Sequence, residues 1–276
     1  MKFAINLPNF GCFGDARVLV DLACEAEDAG WDGFFIWDHL LWTEPTDQPV
    51  AEPWVALTAV AMATSRIKLA PLVTPLPRRR PWQVARQAAT LDQLCNGRLI
   101  LGVGIGVDWY GDYSRFDEPT ESTVHGKMLD EGLNILAGLW SGKPFIHSGA
   151  HYAVTETTFL PMPIQRPRVP IWVAGRWPGT KPFRRTAEWD GVFPLSRQEE
   201  EQLSPRHYRD MLRYIKDYRQ ASSTFDVVTI SGPAGATPQR VKAYADAGVT
   251  WWQIGFLPGT TVEEVRQIIC RGPPSS

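Results

Sequence analysis

The chain is poor in the residues that announce most chemistries. It has four cysteines, Cys12, Cys24, Cys95 and Cys270, far apart and with no CxxC pair. That spacing excludes a disulfide framework and a thiolate zinc site. Cys24 and Cys95 fall in helical patterns and read as small core hydrophobes. Its five histidines include no HxH or HExxH arrangement, so no metal is expected. There is no nucleophile elbow and no Walker loop. No apolar run approaches the roughly 20 residues of a membrane span. The start, MKFAINLPNF, is broken by Asn6, Pro8 and Asn9 and does not read as a signal peptide, so a cytoplasmic protein is expected. A net charge of -2 and a pI near 6.2 do not suggest a nucleic-acid footprint, which needs a basic face and a high pI.

What is present is ample apolar content, 44% of 276 residues, and twelve tryptophans. The first figure allows a full core. The second, with several indoles in loop-like stretches, suggests a pocket with aromatic walls.

The pattern along the chain alternates short apolar runs with amphipathic segments. Strands are expected at Lys2–Asn6, Gly33–Trp37, Ile67–Val73, Leu99–Val103, Pro170–Ala174, Gly191–Pro194, Val227–Ser231 and Thr250–Ile254. Helices are expected at Arg17–Ala29, Pro53–Met62, Pro81–Leu94, Thr123–Trp140, Lys181–Glu188, Pro205–Ala221, Pro238–Ala247 and Thr261–Cys270. Phe145–Pro163 reads as an extended excursion with hairpin character, and Gly272–Ser276 as a loose tail. Continuous apolar strands alternating with helices mean a parallel sheet covered on both faces. Eight such units in one chain point to an α/β protein of the (β/α)8 TIM-barrel class, a single domain over residues 1–276, with a doubly wound open sheet as the competitor.

A barrel keeps its chemistry at the carboxyl ends of its strands. Those ends carry Asn6-Leu7-Pro8, Asp38-His39 with Trp42, Val73-Thr74-Pro75, Gly102 to Gly106, and Ala174-Gly175-Arg176-Trp177. Glycine lets a flat or anionic ligand approach the backbone, and aromatics supply a dry wall. That set suits a large planar cofactor better than a hydrolytic water.

Several stretches resemble the luciferase-like superfamily of flavin- and deazaflavin-dependent oxidoreductases. They are Leu69–Gly106, WDHL at Trp37–Leu40, LDEGLNILAGLWSG at Leu129–Gly142, PMPIQRPRVPIWVAG at Pro161–Gly175 and RRTAEWDGVFP at Arg184–Pro194. The resemblance implies a (β/α)8 barrel with bacterial-luciferase-like insertions that binds coenzyme F420 or FMN. Asp38-His39 followed by Trp42 is similar to the F420-dependent branch, where the histidine lies near the redox carbon and the tryptophan walls the substrate side. By the same resemblance, Pro71-Leu72-Val73-Thr74 corresponds to a segment that often carries a non-prolyl cis peptide behind the cofactor ring. Ala174-Gly175-Arg176 corresponds to the loop at the cofactor phosphate, and Asp190-Gly191 to the same end of the site. Asn6 and Gly104 complete the cofactor set. Asp108 and Trp109, with Trp42, line the substrate side. Sugar-phosphate dehydrogenases of this branch carry a glutamate just after the strand-four glycines. Here Val107 and then Asp108 follow, which argues against that substrate.

The bland readings are specific too. Asp38 orients backbone or His39 rather than reacting. Arg78-Arg79-Arg80 is a solvated approach to a helix, with an anionic cofactor tail as the alternative partner. His125, His147, His151 and His207 read as surface residues. The expectation is an oxidoreductase moving a hydride between F420 and a small organic substrate. An FMN-dependent monooxygenase fed by a flavin or F420 reductase is the first alternative, and a non-catalytic flavin-binding barrel the second. A homodimer is expected from the resemblance.

Overall fold

A computed structural model describes residues 1–44, 46–198, 202–220 and 224–274. Its strands are β1 (Lys2–Leu7), β2 (Gly33–Ile36), β3 (Lys68–Pro71), β4 (Thr74–Pro75), β5 (Leu101–Gly104), β6 (Phe145–Ser148), β7 (Ala153–Thr157), β8 (Ile171–Trp177), β9 (Gly191–Ser196), β10 (Asp226–Ser231) and β11 (Trp251–Gly255). The helices are α1 (Ala16–Asp28), α2 (Pro53–Ala63), α3 (Pro81–Leu94), α4 (Ser122–Trp140), α5 (Thr180–Thr186), α6 (Pro205–Tyr218), α7 (Pro238–Ala245) and α8 (Val262–Cys270).

Nine parallel strands form one sheet in the order β3-β2-β1-β11-β10-β9-β8-β5-β4. The two ends are halves of one strand. β3 pairs with β2, then a cis peptide joins Leu72 to Val73, and β4 pairs with β5. Leu69 closes the ring through bonds from its N–H to Arg98 O and to its O from Ile100 N–H, at 3.1 and 2.8 Å. The strand expected over Ile67–Val73 therefore ends at Pro71 as β3, and its continuation β4, beyond the expected end, pairs with β5. The excursion is an antiparallel β6–β7 hairpin.

Alternation along the strands builds two cores. Odd positions of β1 such as Phe3, Ile5 and Leu7 face the helices, with Leu101, Val103, Ile171 and Val173 beside them. Ala4, Phe35, Ala70, Ile100, Trp172, Phe193, Val228 and Trp251 fill the lumen. A packed lumen is a floor for whatever sits above it, not a pore. It also corrects the tryptophan reading. Trp172 and Trp251 fill the lumen, Trp31, Trp140 and Trp252 lie in the outer core, and only part of the indole set reaches the mouth.

Local sequence explains the joints. α2 and α3 begin with proline at the first helical position, where the missing N–H costs nothing. Arg98, 7% exposed, spends its guanidinium on Ala61 O, Thr64 O and Oγ1, Ile67 O and Cys95 O at 2.8–2.9 Å, binding the end of α2 to the turn before β5. α6 ends at Tyr218 rather than running to Ala221, which lies outside the described residues; Arg219 turns back to bond Ala187 O and Trp189 O.

Candidate active site at the carboxyl end of the barrel

β2 ends at Ile36, and the next three residues leave the sheet. Asn9, fully buried after β1, catches this segment. Its Nδ2 donates to His39 O at 2.9 Å and to Ala51 O at 2.8 Å, and its Oδ1 accepts from His39 N–H at 3.2 Å. One side chain thus fixes the backbone of His39 from both sides.

The imidazole has a second anchor. His39 Nδ1 lies 2.8 Å from Asp112 Oδ2, while Asp112 Oδ1 accepts the N–H groups of Leu40 and Leu41 at 3.0 Å each. Burial of Asp112 works against its charge. The bond from His39, the charges of His39 and Arg78, and the Leu41 N–H outweigh it and hold the carboxyl below its ordinary range. An ionised Asp112 accepts only, so Nδ1 carries a proton in either charge state of the ring, and Nε2 is the nitrogen left without a protein partner. Nε2 makes no hydrogen bond among the described residues. Its ring is bordered by Phe10, Trp37 and Trp42 at centroid distances of 6.0, 6.1 and 5.6 Å.

Asp38 does something else. Its carboxylate is fully buried between Arg78 and Arg79, and Arg78 also donates to its carbonyl at 2.9 Å. It therefore orients the approach to α3, not His39. The same pairs overturn the solvated reading of Arg78 and Arg79, whose side chains are 5% and 17% exposed. A buried carboxylate draws cations inward because an uncompensated charge there is costly.

Trp42 stacks on Phe10 at 3.8 Å and 9° and meets Tyr110 at 4.2 Å. It walls a cavity of about 350 Å³ with Pro8, Phe10, Cys12, Glu44 and Thr260. Asp108 and Trp109 are not in that wall. Asp108 accepts from the N–H groups of Tyr113 and Ser114 at 2.7 and 3.1 Å. Those bonds, against some desolvation, keep its carboxyl low, which makes it a loop staple and a poor proton donor near neutrality. Trp109 is exposed under the guanidinium of Arg176, which also donates to Ser196 O at 3.0 Å.

The top of the lumen beneath carries polar side chains without partners. Asn6 and Gln253 share the lumen-facing parity with Ala4, Trp251 and Val228, and Asn6 Nδ2 donates to Gln253 Oε1. Asn6 Oδ1 and Gln253 Nε2 are buried with no partner, a donor beside an acceptor that the edge of a planar heterocycle would satisfy. Val73 and Ala174 pack toward this side. Thr74 does not: it is registered with Val103 under the helices, fully buried, its hydroxyl unpartnered. Gly104 and Gly175 leave no space for a Cβ, which would come within 2.9 Å of Val73 and 2.5 Å of Pro182. Asp190 lies at the opposite end. It precedes β9 and binds Ile171 N–H and Arg168, so it is not part of the mouth.

The histidines outside the mouth are less exposed than their spacing suggests. His125 is buried, its ring tilted against Tyr113 at 4.2 Å and bonded through Nε2 to Pro119 O. His147, His151 and His207 are half-buried, and His207 closes the capping box of α6 with Ser204. Asp112 and Asn9 were not legible as site residues. Asn9 sits in a polar break after a strand, which is a usable signal; Asp112 sits in a loop with no periodicity.

Among relatives, an uncharacterized protein of Mycobacterium tuberculosis (strain ATCC 25618 / H37Rv) is 30% identical over 260 residues, 88% of this chain and 86% of that one. An F420-dependent glucose-6-phosphate dehydrogenase of Microbacterium testaceum is 33% identical over 174 residues, 62% of this chain and 50% of the dehydrogenase. In three dimensions, an F420-dependent secondary alcohol dehydrogenase in complex with an F420-acetone adduct superposes with a TM-score of 0.79 at 16% identity, covering 98% of this chain and 97% of the other. With the luciferase-like monooxygenase family matched over residues 1–254, on the barrel that its fold neighbours share, the chain belongs to that family of oxidoreductases.

Proposed function

We propose that the chain moves a hydride between coenzyme F420 and a small organic substrate at the mouth of the barrel. The observation that carries this reading is His39, held by Asp112 at Nδ1 with Nε2 free beside an aromatic wall. When bound, the deazaflavin supplies two-electron hydride chemistry. Asn6, Pro71, Leu72, Val73, Gly104, Ala174, Gly175 and Arg176 are the residues to hold it; Thr74 contributes through its backbone, since its side chain faces the helices.

His39 Nε2 takes the hydroxyl proton of an alcohol, or returns it to a carbonyl, while Asp112 stabilises the imidazolium. Phe10, Trp37 and Trp42 border the imidazole with an apolar wall. The tie of Asp108 to its own loop supports an alcohol or ketone over a sugar phosphate.

The test is a paired fluorescence titration of the purified protein with F420 and with FMN. Micromolar F420 binding with weak FMN binding supports the reading. Preference for FMN would replace it with the second one, an oxygenase using reduced flavin from a partner reductase, which the family's description favours; oxygen uptake with added reduced FMN then decides.

A further inference from the structure

A second cavity, of about 240 Å³, opens on the flank of the mouth. It lies between the start of α3, Met128 of α4 and the turn of the β6–β7 hairpin. α3 follows β4, so the cavity is at the same end of the barrel as His39. A water's share of liquid is about 30 Å³, so the space suits a larger group.

Its lining is rich in donors. Tyr152 is 4% exposed and its hydroxyl has no hydrogen-bond partner. Trp82 meets its ring edge-on at 6.2 Å, and Glu131 accepts its N–H at 3.0 Å, so the phenol is held in place. Burial, eased by Arg80, pushes its pKa up to about 12, which keeps the proton on at neutral pH. Arg79 spends Nη2 on Asp38 and Glu52, and its Nε is buried with no acceptor. Arg80 is exposed and has no carboxylate partner among the described residues. It is also the N-cap of α3, whose first turn carries neither an acid nor a side-chain cap. Against these stands Glu118, an exposed carboxylate in the lining.

Two buried donors without acceptors are unfavourable, and a single anionic group answers both. Water would satisfy the same groups but would not exploit the guanidiniums or the helix N-terminus, both of which favour negative charge. We propose that this cavity is an oxyanion site, taking a phosphate or carboxylate group between Arg79, Arg80 and Tyr152. Because Arg79 also grips Asp38, an occupant here would share a guanidinium with the segment that carries His39.

Inorganic phosphate is the probe, titrated calorimetrically at low ionic strength into the protein alone, so the result does not depend on the proposed cofactor. Saturable binding is expected, weakened at least about fivefold in Tyr152→Phe and in Arg80→Gln, as loss of a charge-assisted bond predicts. Tyr152→Phe keeps the ring and Arg80 is on the surface, so both variants should melt as the parent does in phosphate-free buffer. No saturable binding by the parent, or unchanged binding in both variants, would overturn the proposal. Competition then identifies the source. Displacement of phosphate by F420, but not by the deazaflavin nucleoside lacking its anionic tail, supports the site as a dock for that tail. Phosphate that stays bound beside F420 supports a site for a separate oxyanion.

Discussion

Asp112 Oδ2 sits 2.8 Å from His39 Nδ1, across 73 residues of chain, and its other oxygen takes the two N–H groups that follow His39. The carboxylate therefore sets both the tautomer of the ring and the path of the backbone behind it. Asp112→Asn keeps the shape and loses the charge. Turnover should fall about 10- to 100-fold, within the range general acid-base catalysis supplies, with KM changing far less. His39→Ala should cost at least about 100-fold, and the double variant little more than His39→Ala alone. Additive losses in that cycle would refute the coupling.

The low carboxyl of Asp112 has a defined pH signature. Its unfolded value is about 3.9 and its folded value is lower, so the charged form contributes stability that is fully present above about pH 4 and is lost as pH falls through the folded value. Denaturant melts at about pH 7, 5 and 3 should show a smaller acid loss for Asp112→Asn than for the parent between the last two points. Equal losses would mean that other carboxylates carry the acid response.

Arg98 should matter for stability and not for chemistry. It is buried and bonded to carbonyls at the end of α2 and in the turn before β5. Arg98→Met leaves those acceptors without partners and should cost about 3 kcal/mol or more by chemical denaturation, since bonds to charged groups contribute about 1.5–3 kcal/mol each. A change under about 0.5 kcal/mol, the scale of ordinary surface substitutions, would contradict this account.

Gly102→Ala tests the packing of the divided strand. A Cβ there would lie 2.3 Å from the Leu72 side chain and 2.6 Å from Pro71 O. Overpacking of this kind costs about 1–3 kcal/mol, and the adjoining lumen should lose cofactor affinity with it. A variant with parental melting and binding would show that the strand yields.

The barrel was legible because parallel strands buried on both faces read as unbroken apolar runs, and Gly33–Ile36 or Leu99–Val103 cannot be solvated on either side. His39 was legible because it follows such a run. Its partner was not. Asp112 acquires its place only when the loop after β5 folds back, and that fold rests on Asp108, Tyr113 and the left-handed Gly106, none of which carries a period. Arg78 and Arg79, before a helix, look as solvated as Arg80 is until Asp38 is known to point inward. His125 looked like a surface residue for the same reason: its buried contacts are to Tyr113 and Pro119, inside the loop rather than along the helix.

The loop running from Ile105 to Pro119 holds Trp109 out toward solvent and Asp112 in against His39. Under the proposed function, the anchor of the proton-transferring His39 and an exposed aromatic surface are thus built on one piece of chain. Grafting a relative's loop onto this barrel would replace the partner of His39 together with the surface that meets new molecules. Changes in what is bound and changes in how fast a proton moves would therefore arrive together, and selecting for one alone would require point substitutions that spare Asp112.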